Sequence, residues 1–185
     1  MFDEKEIISR ILREDLKAFE LLVKQYERLV FHVVGRLIRD QADTQDVCQE
    51  VFIKVHKNIN KFEFKSKLST WIARIAYLTA INYLKKYRKF SYNEFSEEIE
   101  NYHFTEDNPE KITEKKDTAN YVNQLIEQMP EQYRIVLTLY HLNEFSYQEI
   151  EDITAMPEGT IKSYLFRGRK LLKEKLEIYL KKELL

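Results

Sequence analysis

The scarcity of chain breakers constrains this sequence most: it has three glycines and three prolines in 185 residues. A sheet protein of this length needs many tight turns, and tight turns draw on Gly and Pro. Those residues interrupt helices, so the chain is expected to be all-α. A Gly-rich phosphate loop is disfavoured on the same ground. The apolar spacing agrees. Phe19, Leu22, Val23, Tyr26, Val30, Val33 and Leu37 recur every three or four residues and form one stripe of a helix.

A second helix is expected from about Thr44 to His56. Val47, Cys48, Val51, Phe52 and Val55 share one face, and Asp46, Gln49, Glu50 and Lys54 occupy the other. A third begins near Leu68–Thr70, with Ser66 or Ser69 able to cap it. It runs through Trp71, Ile75, Tyr83 and Leu84 to a basic end at Lys85, Lys86, Arg88 and Lys89, where cations complement the helix dipole.

Charge divides the chain. Between Lys61 and Lys89 basic residues face a single acid, Glu63, whereas Ser91–Thr118 is acidic and aperiodic, and Glu158–Lys175 is basic again. This predicts two small helical domains, 1–90 and 119–185, joined by a flexible acidic linker over 91–118. The linker aromatics Tyr92, Phe95, Tyr102 and Phe104 either dock on a domain or partner, or are incidental to a mobile tether.

In the second domain Val122, Leu125, Ile126 and Met129 form a stripe, and Pro130 suits the first turn of a helix carrying Tyr133, Val136, Leu137 and Tyr140. Ser146-Tyr-Gln-Glu149 matches a capping box opening a short helix with Ile150 and Ile153. After the turn Ala155–Gly159, a last helix runs from about Thr160 into the 180s. Short helix, turn and long basic helix make a helix-turn-helix. Ile161, Leu165, Gly168 and Leu172 should pack inward, leaving Thr160, Ser163, Arg167 and Lys170 outward with Lys162 and Arg169 at the margins. Hydroxyls and lysines can fix phosphates, and arginine can fork onto guanine.

In the first domain Phe62, Phe64, Trp71, Tyr77, Tyr83 and Tyr87 lie among cations such as Lys65, Lys67 and Arg74. Such interleaving suits single-stranded nucleic acid, whose bases stack on rings. Trp71 and Tyr83 are expected in the core, and Phe62 and Phe64 in contact with bases. Other classes find little support. The lone Cys48 permits no intramolecular disulfide, and His32, His56, His103 and His141 lack the short spacings of zinc sites. No nucleophile motif appears, so neither an enzyme nor a cofactor is expected. The charged start Met1–Glu6 lacks a signal-peptide run, and no stretch is apolar enough to span a membrane. A formal net charge of −1 argues against wholesale polyanion binding.

Three segments together resemble the group IV (extracytoplasmic function) RNA polymerase sigma factors of the sigma-70 family. Asp46-Val-Cys-Gln49-Glu50-Val-Phe52 is similar to their polymerase-binding helix, and Ser69-Thr70-Trp71-Ile72-Ala-Arg74-Ile75-Ala76 to the segment that meets the −10 element. Pro157-Glu-Gly159-Thr160-Ile161-Lys162-Ser163, followed by Arg167-Gly-Arg169, is similar to the helix that reads the −35 element. The resemblance implies a non-enzymatic, cytoplasmic bacterial initiation factor. Asp46, Gln49, Glu50 and Lys54 would dock on the clamp helices of the polymerase β′ subunit, and the second domain would meet the β flap. Residues 62–68 would capture a flipped −10 base, with Phe62, Phe64, Lys65, Lys67, Arg74, Lys85, Lys86 and Arg88 on that strand. Thr160, Lys162, Ser163, Tyr164, Arg167, Arg169 and Lys170 would hold the −35 duplex. An anti-sigma factor is the implied regulator, and the free protein would be weakly competent until polymerase sets its domains at promoter spacing.

Three positions depart from the family pattern: Leu78 where Asn is frequent, Tyr164 where Arg is usual, and Gly168 where Ala is usual. They bear on promoter sequence more than on class. A stand-alone helix-turn-helix regulator would explain 119–185 but leave the first domain without a task.

Overall fold

The computed structural model describes residues 3–87 and 117–183, with side chains for 3–87 and 121–178. All regular structure among these residues is helical. Four helices precede the undescribed stretch: α1 (Glu4–Ile11), α2 (Leu16–Gly35), α3 (Gln41–Asn58) and α4 (Leu68–Tyr87). Four follow it: α5 (Asp117–Gln128), α6 (Glu131–His141), α7 (Tyr147–Thr154) and α8 (Glu158–Glu183). The expected linker lies outside the described residues except for its last two, which begin α5.

Aspartates set the first three starts. Asp3 accepts from the amides of Lys5 and Glu6, Asp15 from those of Lys17 and Ala18, and Asp40 from that of Asp43. Each satisfies donors that have no partner in the first turn. The sequence reading missed α1, whose Ile7, Ile8 and Ile11 pack on α2. It placed the start of α3 three residues late, because the Asp40 cap was not recognised. Ser69 falls inside the first turn of α4 rather than at its cap.

In the first half α2 lies at the centre and packs on α1, α3 and α4. Leu22, Val30, Val33, Val47, Val51, Ile72 and Leu84 are fully or almost fully buried there. Burying each such side chain is worth about 1.5–3 kcal/mol. In the second half α8 packs across α6 and α7, and Ile161, Leu165, Ile150, Ile153 and Val136 are all buried there.

The helix-turn-helix is tighter than expected, since α8 begins at Glu158 and the turn is only Ala155-Met156-Pro157. Ala155 makes the reversal with φ 60°, ψ 19°, a left-handed conformation that costs an L-residue roughly 1–2 kcal/mol. Gly168 has a packing reason. A Cβ there would lie 3.1 Å from Leu137 Cδ1, so its absence lets α8 approach α6 closely. Gly168→Val is therefore expected to destabilise by about 1–3 kcal/mol despite the helix propensity gained. A calorimetric melting temperature would register this as a fall of several degrees.

The halves also pack on each other. α4 runs along α7 and α2 touches α6, and buried residues of both halves belong to one contiguous apolar cluster. The sequence reading placed two domains on a tether and did not anticipate this face-to-face contact.

Candidate functional site

Three surfaces carry the chemistry anticipated from the sequence. The first is the outer face of α3. Val47, Val51 and Val55 are buried, which turns Asp46, Gln49 and Glu50 outward, all exposed. Ile53 completes this strip with 53% of its surface exposed, an apolar side chain in the middle of a polar face. It was overlooked, although its position three residues after Glu50 signals it. Lys54 departs from expectation. Its Nζ pairs with Glu50 Oε1 at 2.6 Å and donates to Thr79 Oγ1 at 3.3 Å. It thus spans from Glu50 on the outer face to Thr79 of α4.

Lys54 instead lines the second surface, a groove of about 380 Å³ between α3 and α4. Lys54, Lys61 and Arg74 supply positive charge, Asn58 and Asn82 supply amides, and Trp71, Ile75 and Leu78 supply an apolar wall. Ring, amide and cation in one groove match what an unstacked base and its phosphate require. Trp71, expected in the core, is half-buried and faces this groove. Phe62 corrects the opposite expectation. It is only 7% exposed, with its ring 5.4 Å from Trp71 and 4.8 Å from Phe64, so it packs within the loop and offers little surface to a base here.

Phe64 remains displayed, 47% exposed and at φ 57°. A bulky residue in the left-handed region is strained, and such strain gathers at functional positions. On the same loop Lys65 pairs with Glu63. Lys67 pairs with Glu149 at 2.9 Å, and Arg74 donates to the Asp152 carbonyl, so both reach into the second half of the chain. Lys85 and Lys86 are exposed on the last turn of α4, and Arg88 lies outside the described residues.

The third surface is the outer face of α8. Thr160, Ser163 and Arg167 are half-buried and Lys170 is exposed, all on one side. Lys162 is exposed, pairs with Glu158 and sits 5.4 Å over the Tyr147 ring. Arg169 donates to His141 Nε2 at 3.0 Å and lies 5.0 Å over Tyr140, which anchors it to α6. Tyr164, expected among the duplex contacts, packs its ring 4.6 Å from that of Tyr133. It serves packing between α8 and α6, which explains an aromatic at that position.

The remaining reactive groups have structural settings. His56 meets the edge of Phe19, and His32 approaches Asn143 at 3.4 Å. Burial lowers His32, with Arg28 and Arg36 adding to the effect. Burial pushes the Cys48 thiol up to about 11, which suppresses the nucleophilic thiolate. Among the described residues no group of three His, Cys, Asp or Glu could hold a metal ion. No described helix is long and apolar enough to cross a membrane.

Comparison with known proteins converges on one family. Residues 22–90 match sigma-70 region 2, and residues 119–172 match sigma-70 region 4. The chain is 34% identical over 181 residues to the ECF RNA polymerase sigma-E factor of Haemophilus influenzae, covering 94% of this chain and 95% of that protein. It is 32% identical over 181 residues to the RNA polymerase sigma-H factor of Pseudomonas aeruginosa, covering 94% of each. Among solved structures, CnrH in complex with the cytosolic domain of CnrY aligns with TM-score 0.65 at 14% identity, over 95% of this chain and 97% of that one. The sigma factor RpoE in complex with the anti-sigma factor NepR from Bartonella quintana aligns with TM-score 0.64 at 18% identity, over 88% and 98%. These two share the fold. With paired region 2 and region 4 matches in order and relatives alike over nearly their whole length, the chain belongs to the extracytoplasmic function sigma factors of the sigma-70 family, the promoter-recognising subunits of RNA polymerase.

Proposed function

We propose that this sigma factor divides promoter recognition among the three surfaces. The outer face of α3, with Asp46, Gln49, Glu50 and Ile53, docks on the clamp helices of the polymerase β′ subunit. An acidic-polar strip with one apolar anchor suits a basic helical partner, charge giving orientation and Ile53 giving desolvated contact. The groove between α3 and α4 and the loop bearing Phe64 hold the opened −10 strand. Extruding a base costs a few kcal/mol, which stacking on Phe64 and Trp71 and phosphate contacts from Lys65, Lys67, Arg74, Lys85 and Lys86 offset. On the −35 duplex, Thr160, Lys162, Ser163, Arg167 and Lys170 fix phosphates and base edges, and the second half meets the β flap. Its role is non-catalytic, since bond formation belongs to the polymerase. The site of action is the bacterial cytoplasm, and an anti-sigma factor is the expected regulator, as in the RpoE–NepR complex.

The observation that carries this reading is the aromatic-walled cationic groove on one half of the chain and a helix-turn-helix on the other. A single-surface DNA regulator needs only the second. The test is transcription from a mixed promoter library by core polymerase with and without the protein. Discrete transcripts that appear only on its addition, with aligned −10 and −35 elements, are the expected result. A core enzyme that is not redirected, beside specific duplex binding by the free chain, would overturn it.

Arg167→Ala is expected to weaken −35 binding by about 1–3 kcal/mol and to relax preference at one base pair. Competition binding with single-base variants of the −35 duplex checks this. A uniform loss over all variants would make Arg167 a phosphate contact instead.

A further inference from the structure

The groove between α3 and α4 has two chemically different walls. On α4 it is lined by Trp71, Ile75, Leu78 and Asn82, at spacings of four, three and four residues, so they form one stripe of the helix. The first three are apolar. Leu78 keeps 45% of its surface exposed, an apolar side chain held in water in a groove otherwise rich in cations and amides.

The facing wall is built by α3 and the short helical turn Ile59–Lys61 that follows it. It carries Lys54, Asn58 and Lys61, at spacings of four and three. Their hydrogen-bonding senses alternate. The two lysines only donate. Lys54 directs Nζ to Glu50 and to Thr79, which leaves one of its three N–H groups. Lys61 is exposed and makes no ion pair among the described residues. Asn58 donates from Nδ2 to the carbonyl of Lys54 at 2.9 Å. That turns Nδ2 toward its own helix and leaves Oδ1, an acceptor, as the opposite arm of the amide. The order along this wall is donor, acceptor, donor.

One base matches that order. A base taken out of its stack is read along its Watson–Crick edge. Thymine presents acceptor, donor, acceptor there: O4, N3–H and O2. Cytosine presents an amine followed by two acceptors, guanine a carbonyl followed by two donors, and adenine only a donor and an acceptor. The opposite edge of thymine carries the C5-methyl group. With the Watson–Crick edge on α3, this methyl turns toward α4 and its apolar stripe. Apolar contact with the thymine methyl discriminates among bases.

We propose that the groove is a thymine receptor: Lys54, Asn58 and Lys61 read the Watson–Crick edge of one unstacked thymine, and Leu78 with Ile75 reads its methyl. Leu78 is thereby a specificity-determining residue. This rests on the reading of the groove as the holder of the opened −10 strand.

The test measures binding of the full chain to fluorescein-labelled single strands by anisotropy at low salt. Each strand has about 12 nucleotides of a single base: thymine, uracil, cytosine or 5-methylcytosine. A strand of one base makes register irrelevant. Thymine and uracil differ only by the methyl, whose burial is worth about fourfold. The wild type should therefore prefer the thymine strand to the uracil strand by about fourfold. 5-Methylcytosine restores the methyl but not the edge, so it should stay roughly tenfold weaker than thymine. Leu78→Asn should bring the thymine-to-uracil ratio to about one, with helical content unchanged. A fourfold ratio that persists in Leu78→Asn would mean that the methyl is read elsewhere, and the proposal would be overturned. Equal binding of thymine and uracil by the wild type, with Lys61→Ala and Trp71→Ala weakening both, would also overturn it while leaving the strand in the groove. If Lys61→Ala and Trp71→Ala change nothing, the groove holds no strand, and the −10 assignment and the thymine receptor fail together.

Discussion

Glu50→Lys is expected to weaken capture by core RNA polymerase about 100-fold or more and to leave the fold intact. Glu50 is exposed on the middle turn of α3, flanked by Asp46, Gln49 and Ile53. Reversing its charge places a cation against a basic partner, and a like-charge meeting at an interface costs several kcal/mol; about 2.7 kcal/mol is already 100-fold. Within the chain the change is small. Glu50 now pairs with Lys54 one turn later, and two lysines at that spacing repel by only a few tenths of a kcal/mol. Affinity for immobilised core enzyme, measured beside a thermal melt, separates the two effects. Wild-type affinity would remove the outer face of α3 from the docking surface.

Phe64→Gly should separate stability from function. Phe64 sits at φ 57° with 47% of its surface exposed. Glycine adopts that conformation without the steric cost borne by an L-residue. The ring's tilted contact with Phe62 is lost, a partial loss because Phe62 keeps Trp71. The variant is therefore expected to melt within a degree or two of the wild type, or above it. Yet a stacked base is worth about 1–3 kcal/mol, so opening of the −10 strand should fall roughly tenfold to 100-fold. Permanganate footprinting of unpaired thymines reads that step, and −35 duplex binding should be unchanged. Equal opening by both proteins would mean that the strained Phe64 does not touch the strand.

These two predictions differ in how visible their residues were from the sequence. Glu50 could be placed because α3 has a simple period: valines at 47, 51 and 55 dictate an inner face, and everything opposite them must be outer. The same logic located Thr160, Ser163, Arg167 and Lys170 on α8, since Ile161, Leu165 and Gly168 fix the side that packs. Helical periodicity is a local property, and where it is strong the exposed chemistry follows from it. The Ser146–Glu149 capping box was legible for the same reason, being a contact between residues three apart.

Loops and long-range contacts obey no such period. Phe62 and Phe64 look alike in sequence, but only the fold of residues 62–67 back onto α4 buries one and displays the other. Trp71 and Tyr164 are both half-buried against the core, and the rest of each depends on a neighbouring element, Trp71 on the groove beside α3 and Tyr164 on Tyr133 of α6. The ion pair of Glu149 with Lys67 was invisible for the strongest reason: the two residues lie in different halves of the chain. The sequence by itself determined the all-α class and the faces of its periodic helices, because these rest on spacings of three and four residues, and its motifs pointed to the family by resemblance. Only the tertiary structure decided which rings meet solvent and that the two halves close on each other, because those depend on contacts between segments far apart in the chain.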